Sequence, residues 1–177
     1  MEPLSRRLLV ISAAIAVGIG VSACGGAHVS SVAVATTGPK VAVKSIAMMP
    51  GGGVLADAVA VELLSRGFTV IDGAATSSMM IRLNLNEIEI SRPEGLAKFK
   101  DQGIDAVLSV RAVGGYDQQP QSASARMTST ADGRLLAGTT WQNGFGGQAG
   151  SVADRVMRQG LSQAAGEIAT ALTKQAR

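Results

Sequence analysis

The chain has 177 residues, 16% of them charged, and a formal net charge of only +3. That length suits one domain with short appendages, and the absence of a basic run gives no support for nucleic-acid binding. One Trp, one Tyr and three Phe leave too few aromatics for the stacking platforms of a single-strand binder.

The first 24 residues carry the most specific signal. Arg6 and Arg7 precede Leu8 to Gly20, a 13-residue apolar run. A spanning helix needs about 20 such residues, whereas a signal-peptide core is shorter. Val21-Ser22-Ala23-Cys24 follows, then Gly25-Gly26. This stretch resembles a bacterial lipobox. The resemblance implies that the Cys24 thiol takes a diacylglycerol in thioether linkage and that the chain is cut before it. Cys24 is the one cysteine of the chain, so no intrachain disulfide competes for it. Fatty-acyl chains such as palmitate contribute about 0.8 kcal/mol per buried methylene, and more than one chain makes a stable anchor. In lipoproteins of this kind an Asp after the cysteine tends to retain the protein in the inner membrane. Gly25 stands there instead, which implies the outer membrane with the domain facing the periplasm. Arg6-Arg7 also weakly resembles a twin-arginine signal. Ordinary Sec signals carry the same pair, so the export route stays open.

The segments are thus a signal peptide over 1–23, a lipidated flexible tether over 24–41 and a folded domain over 42–177. The tether is rich in Gly, Ser, Thr and Ala, and His28, the only histidine, reads as solvated within it. "VAVKSIAMM" reads as a first strand ended by Pro50 and three glycines. Val54 to Arg66 predicts a helix stopped by Gly67, and "FTVID" a second strand. Residues 74–90 are ambiguous. "IRLNLNEIEI" alternates as a strand does, while a short helix over Thr76 to Leu83 followed by an extended segment fits equally. "EGLAKFKDQG" predicts a helix and "IDAVLSVRAV" a strand. "SASARMTST" and "RLLAGTTWQ" form a hairpin about Asp132-Gly133. Ser151 to Lys174 predicts one amphipathic helix capped by Ser151. Its polar face lacks the Lys/Arg crowding of a membrane-surface helix, so it packs on a sheet. The class is α/β (α+β): a mixed sheet with a starting β-α-β unit, an antiparallel meander and a long C-terminal helix.

Gly51, Gly53 and Ala56 fit the dinucleotide fingerprint G-x-G-x-x-G/A, and Asp72 follows where a ribose-binding acid falls. Against it, hairpins replace the later crossovers that build such a site. Val54-Leu55 stand where a phosphate-loop Lys-Ser/Thr would. Turn geometry alone explains the glycines, and Asp72 can cap the next segment. One histidine allows no metal cluster and gives little prospect of a triad. Glu87, Glu89, Asp101 and Asp105 read as surface charges. No enzyme, cofactor or metal is expected. Interface candidates are Tyr116, Trp141 and the loop Gly144 to Gly150, with Gly146 and Gly147 at its centre. Trp141 has a competing reading as a core residue covering the sheet.

Ile46 to Gly53, "ADAVAVELLSRG", "FTVID", "GIDAVLSVRAVGG" and "ADGRLLAG" before a long final helix together resemble a periplasmic domain over about 42–174. Its bearers are the curli-secretion lipoprotein (CsgG), the TolB amino-terminal domain and penicillin-binding-protein activator lipoproteins. The resemblance implies a non-catalytic outer-membrane lipoprotein that binds an envelope protein or self-assembles in a secretion or cell-envelope complex. One alternative is a ring-forming curli-type export component. "GGYDQQPQSASARM" is too short and polar to supply the strands of about 9–11 residues that cross a bilayer. The other alternative is a nucleotide- or small-ligand-binding enzyme using the Gly51–Gly53 turn.

Overall fold

The computed structural model describes residues 28–32, 42–114, 119–144, 147–148 and 150–175. Six strands form one mixed sheet: β1 (His28–Val32), β2 (Ser45–Met48), β3 (Thr69–Ile71), β4 (Ala106–Val113), β5 (Ser122–Ser129) and β6 (Leu135–Gln142). Their spatial order is β1-β6-β5-β4-β2-β3. β2 runs parallel to both β3 and β4, and the pairs β4–β5, β5–β6 and β6–β1 are antiparallel. The β-α-β start, the meander and the C-terminal helical packing match the sequence reading.

α1 (Gly53–Ser65) makes the first crossover. It buries Leu55, Ala56, Val59 and Leu63, one stripe at helical spacing. α5 (Leu161–Gln175) lies beside it and buries Ala164, Ala165, Ile168, Ala169 and Leu172. The alanines of this set let the two helices approach closely over β4, β5 and β6. Arg66 ties them further, donating to the Gly166 carbonyl at 3.0 Å. Beneath them lie Ile46, Leu108, Val110, Met127 and Trp141. Each fully buried large apolar side chain contributes about 1.5–3 kcal/mol.

The opposite face is covered at one end only. α2 (Gly73–Arg82) and α3 (Pro93–Asp101) pack there with a short 3-10 turn (Glu89–Ser91). They enclose Ala47, Met80, Ile90, Leu96, Phe99 and Val107. Residues 74–90 are therefore helix and turn, and the alternation in "IRLNLNEIEI" does not make a strand. A cap decides it. Asp72 Oδ1 accepts from the Ala75 N–H at 2.7 Å and starts α2. Asn86 and Glu89 then form a reciprocal box: Asn86 Oδ1 accepts from the Glu89 N–H, and Glu89 Oε2 from the Asn86 N–H.

Two further expectations change. His28 to Val32, assigned to the flexible tether, forms an edge strand whose backbone register runs from His28↔Gln142 to Val32↔Gly138. The single helix over Ser151 to Lys174 is two, α4 (Val152–Met157) and α5, separated at 158–160. Ser151 caps α4 by accepting from the Asp154 N–H at 3.1 Å. Asp154, a charged residue in the first turn of α4, is fully buried. Its carboxylate accepts from the Gly150 N–H at 2.9 Å and from Arg158 Nε at 2.8 Å. Arg158 adopts an extended conformation (ψ 131°), and the helix ends there.

Candidate interaction face

Cys24, Tyr116 and Gly146 lie outside the described residues. Gly147 is described and half-buried, with a φ of 101°. Trp141 is only 1% exposed. Its Nε1 donates to Glu167 Oε2 at 2.7 Å, and Gln159 Nε2 donates to the other Glu167 oxygen at 3.0 Å. The indole thus joins β6 to α5 from inside the core and offers a partner no surface in this state.

The sequence reading missed Asn143. Its Nδ2 donates to the Pro120 and Gln159 carbonyls at 2.8 and 3.1 Å, and its Oδ1 accepts from the Gly144 and Gln159 N–H groups, each at 2.8 Å. One buried amide pins three connections at one end of the sheet. Its partners are distant in sequence, so no local pattern marks it.

The glycine turn has a packing role. Gly51 and Gly53 adopt φ of 82° and 61°, values open to glycine at little cost. A Cβ on Gly52 would stand 2.8 Å from the Val110 carbonyl oxygen, so glycine here lets the turn press against β4. Asp72, the residue in the ribose-binding position, is engaged in capping α2.

At the opposite end of the sheet, Asp105 fastens two strand starts. Burial raises its carboxyl pKa, but the Lys44 and Ser45 N–H donors at 2.9 and 3.1 Å, with the Lys100 ammonium at 3.7 Å, outweigh that and hold it below the ordinary 3.8. Asp132 in the β5–β6 hairpin is also held low, chiefly by its hydrogen bond from Arg134.

The part of the sheet without helices on its second face is the candidate site. Along β4 and β5 the buried residues Leu108, Val110, Ala123, Ala125 and Met127 point to α1 and α5. Strand alternation therefore sends Ser109, Arg111, Ser124, Arg126 and Thr128 to the other side. Ser109 is opposite Arg126, and Arg111 opposite Ser124, so the two arginines are diagonal neighbours on one face. Both are exposed. They line an open cavity of about 580 Å³ whose walls include Met49, Gly51, Ile90 and Leu96. Arg111 also borders two adjoining hollows of about 370 and 480 Å³. Within the described residues, Arg111 and Arg126 make no ion pair, while Arg66, Arg134 and Arg158 each do. Two guanidinium forks on a polar floor can bind carboxylate or phosphate oxygens bidentately. Among the described residues no group of three or more His, Cys, Asp or Glu could hold a metal ion, and no helix is long and apolar enough to cross a membrane.

A scan against protein-family models and a search of curated proteins find no match. Among solved structures, the PelC dodecamer from Paraburkholderia phytofirmans is similar at 18% identity and a TM-score of 0.48, over 85% of this chain and 99% of that one. The lipoprotein GNA1162 from Neisseria meningitidis is 21% identical with a TM-score of 0.42, over 72% and 99%. The LpoB C-terminal domain from Salmonella enterica is 14% identical with a TM-score of 0.41, over 60% and 87%. These are likenesses in the course of the chain and in nothing finer.

Proposed function

We propose that this chain is a non-catalytic lipoprotein of the outer membrane, anchored through Cys24, whose domain recognises an acidic segment of an envelope partner on the open sheet face. The carrying observation is the pair Arg111 and Arg126, diagonal on that face and without ion pairs among the described residues. Placement at the envelope is supported by the apolar run Leu8 to Gly20 followed by Val21-Ser22-Ala23-Cys24. The polar floor and the open shape suit a protein contact in which guanidinium pairs set orientation and encounter rate.

The test is retention of envelope proteins by the acylated chain, compared with Cys24→Ala and with the double variant Arg111→Glu, Arg126→Glu. The expected result is a partner retained by the unaltered chain and lost from the double variant with folding intact. Equal retention by both sinks the assignment of the face. A Cys24→Ala chain that gains the same lipid mass as the unaltered one sinks the anchor.

A further inference from the structure

The N-terminal strand limits where an anchor at Cys24 can lie. β1 begins at His28, four residue steps from Cys24. Four residues reach about 14 Å at full extension, so a lipid on Cys24 keeps that end of the sheet beside the bilayer. The register identifies the end. His28 is opposite Gln142, Gln142 opposite Ser122, and Ser122 opposite Val113. The anchored end therefore holds the last residues of β4 and β6 and the first of β5.

Exposed large apolar side chains surround the same end. Val113 is 67% exposed and Val54 61%, and both line the hollow of about 480 Å³ beside the glycine turn. α4 is held there through Asn143, which bonds to Pro120 and Gln159. It exposes Val152 by 79% and Val156 by 76%, four residues apart and so on one helical face. Arg155, also exposed, is three residues from Val152 and so its neighbour on the helix surface. The other exposed large apolar residues, Val61, Leu64, Ile81 and Ile88, lie further along α1, on α2 and in the turn after it. Single exposed valines are ordinary. Four around the exit of an anchored chain, next to a cation, form a surface matched to lipid.

We infer that this end of the domain seats on the lipid bilayer, with Val54, Val113, Val152 and Val156 in the interfacial layer and Arg155 at the headgroup phosphates. The inference rests on the anchoring of Cys24 proposed above. Tethering supplies the association, because a short linker holds the second contact at high effective concentration. Each valine then needs to add only a weak apolar contact, and an arginine beside them lays its stem along the apolar layer with its head in the polar zone. The sheet stands on its end, with Arg111, which lines the same hollow as Val54 and Val113, at the bilayer-proximal edge of the open face and Arg126 farther out toward the aqueous space.

Since Cys24 is the only cysteine, acylation leaves any introduced cysteine as a unique labelling position. The full-length acylated protein is placed in phosphatidylethanolamine–phosphatidylglycerol vesicles with an environment-sensitive fluorophore at Val113→Cys, Val156→Cys or Ala131→Cys. Ala131 is exposed in the hairpin at the far end of β5 and β6. Spin-labelled lipids should quench the fluorophore at 113 and 156 several-fold more than at 131, with blue-shifted emission, and Arg155→Glu should reduce the quenching at 156. Equal quenching at all three positions, in protein whose mass includes the lipid, overturns the seating and leaves the anchor standing. Shielding at 113 and 156 that rises with protein concentration at fixed lipid means a second copy covers this end, which also overturns it. A Cys24 that carries no lipid removes the anchor and the seating together.

Discussion

β2 and the start of β4 are covered on both faces, by α1 on one side and by α2 and α3 on the other, whereas β5 has helices on one face only. The cause is connectivity. Parallel neighbours need crossovers, and a crossover helix must rest on a sheet face. Antiparallel neighbours joined by hairpins need none. The sequences carry the same contrast: Ile46, Ala47 and Met48 are consecutively buried, while β5 alternates buried and accessible residues along Ser122–Ser129. Both parts share the core under α1 and α5, the covered half adds a second cluster under α2 and α3, and the half-covered part has polar side chains left for a partner.

The largest effect expected from this division is in the covered half. Phe99→Ala empties the centre of the cluster between α3 and the sheet and should cost about 3–5 kcal/mol in urea unfolding. A loss no larger than that of a surface substitution would mean that α2 and α3 are not cooperative with the sheet. Next is the join between the halves, where Gly52→Ala drives a Cβ toward the Val110 carbonyl. A destabilisation of about 1–3 kcal/mol is expected from such overpacking, and an unchanged melting curve would remove the packing role of the turn.

The pH dependence sharpens the comparison at the opposite end of the sheet. Asp105 has its folded pKa below the ordinary 3.8, so its contribution is present above that value and lost as pH falls through the folded pKa. Asp105→Asn should lower stability at neutral pH and flatten the acid limb of a stability–pH curve below about pH 4. A variant with an unaltered acid limb would show that the Lys44 and Ser45 contacts do not hold the carboxylate in solution. The smallest effect on stability belongs to the open face. Arg126→Ser should change unfolding by less than about 0.5 kcal/mol, as for surface positions without buried partners, yet lower partner retention. A large loss of stability would instead make Arg126 a structural residue.

Local chemistry made much of the fold readable. The strand, glycine turn, helix and strand from Ser45 to Ile71 are set by apolar spacing and by glycines at their ends. The hairpin about Asp132-Gly133 and the Ser151 cap are equally local. The alternating stretch at 81–90 left strand and helix open, because period-2 spacing over a short run competes with caps, and the Asn86–Glu89 box is the local signal that separates the two. The candidate face was less legible. Arg111 and Arg126 are 15 residues apart and meet only through the β4–β5 register.

The N-terminal motif, the β-α-β start, the hairpin and the helix caps follow from residues near one another, because caps, turns and periodic burial act over a few positions. The β1 strand, the burial of Asp154, the helix break before α5 and the open arginine face came from the three-dimensional fold alone, which also decided for the core reading of Trp141. Val29 meets Trp141, and Trp141 meets Glu167, across stretches of chain that carry no mark of the pairing. In "HVSSV" the strand propensity is weak, and β6 supplies the hydrogen bonds that make it a strand. Which face stays bare depends on where helices dock, a property of the whole sheet.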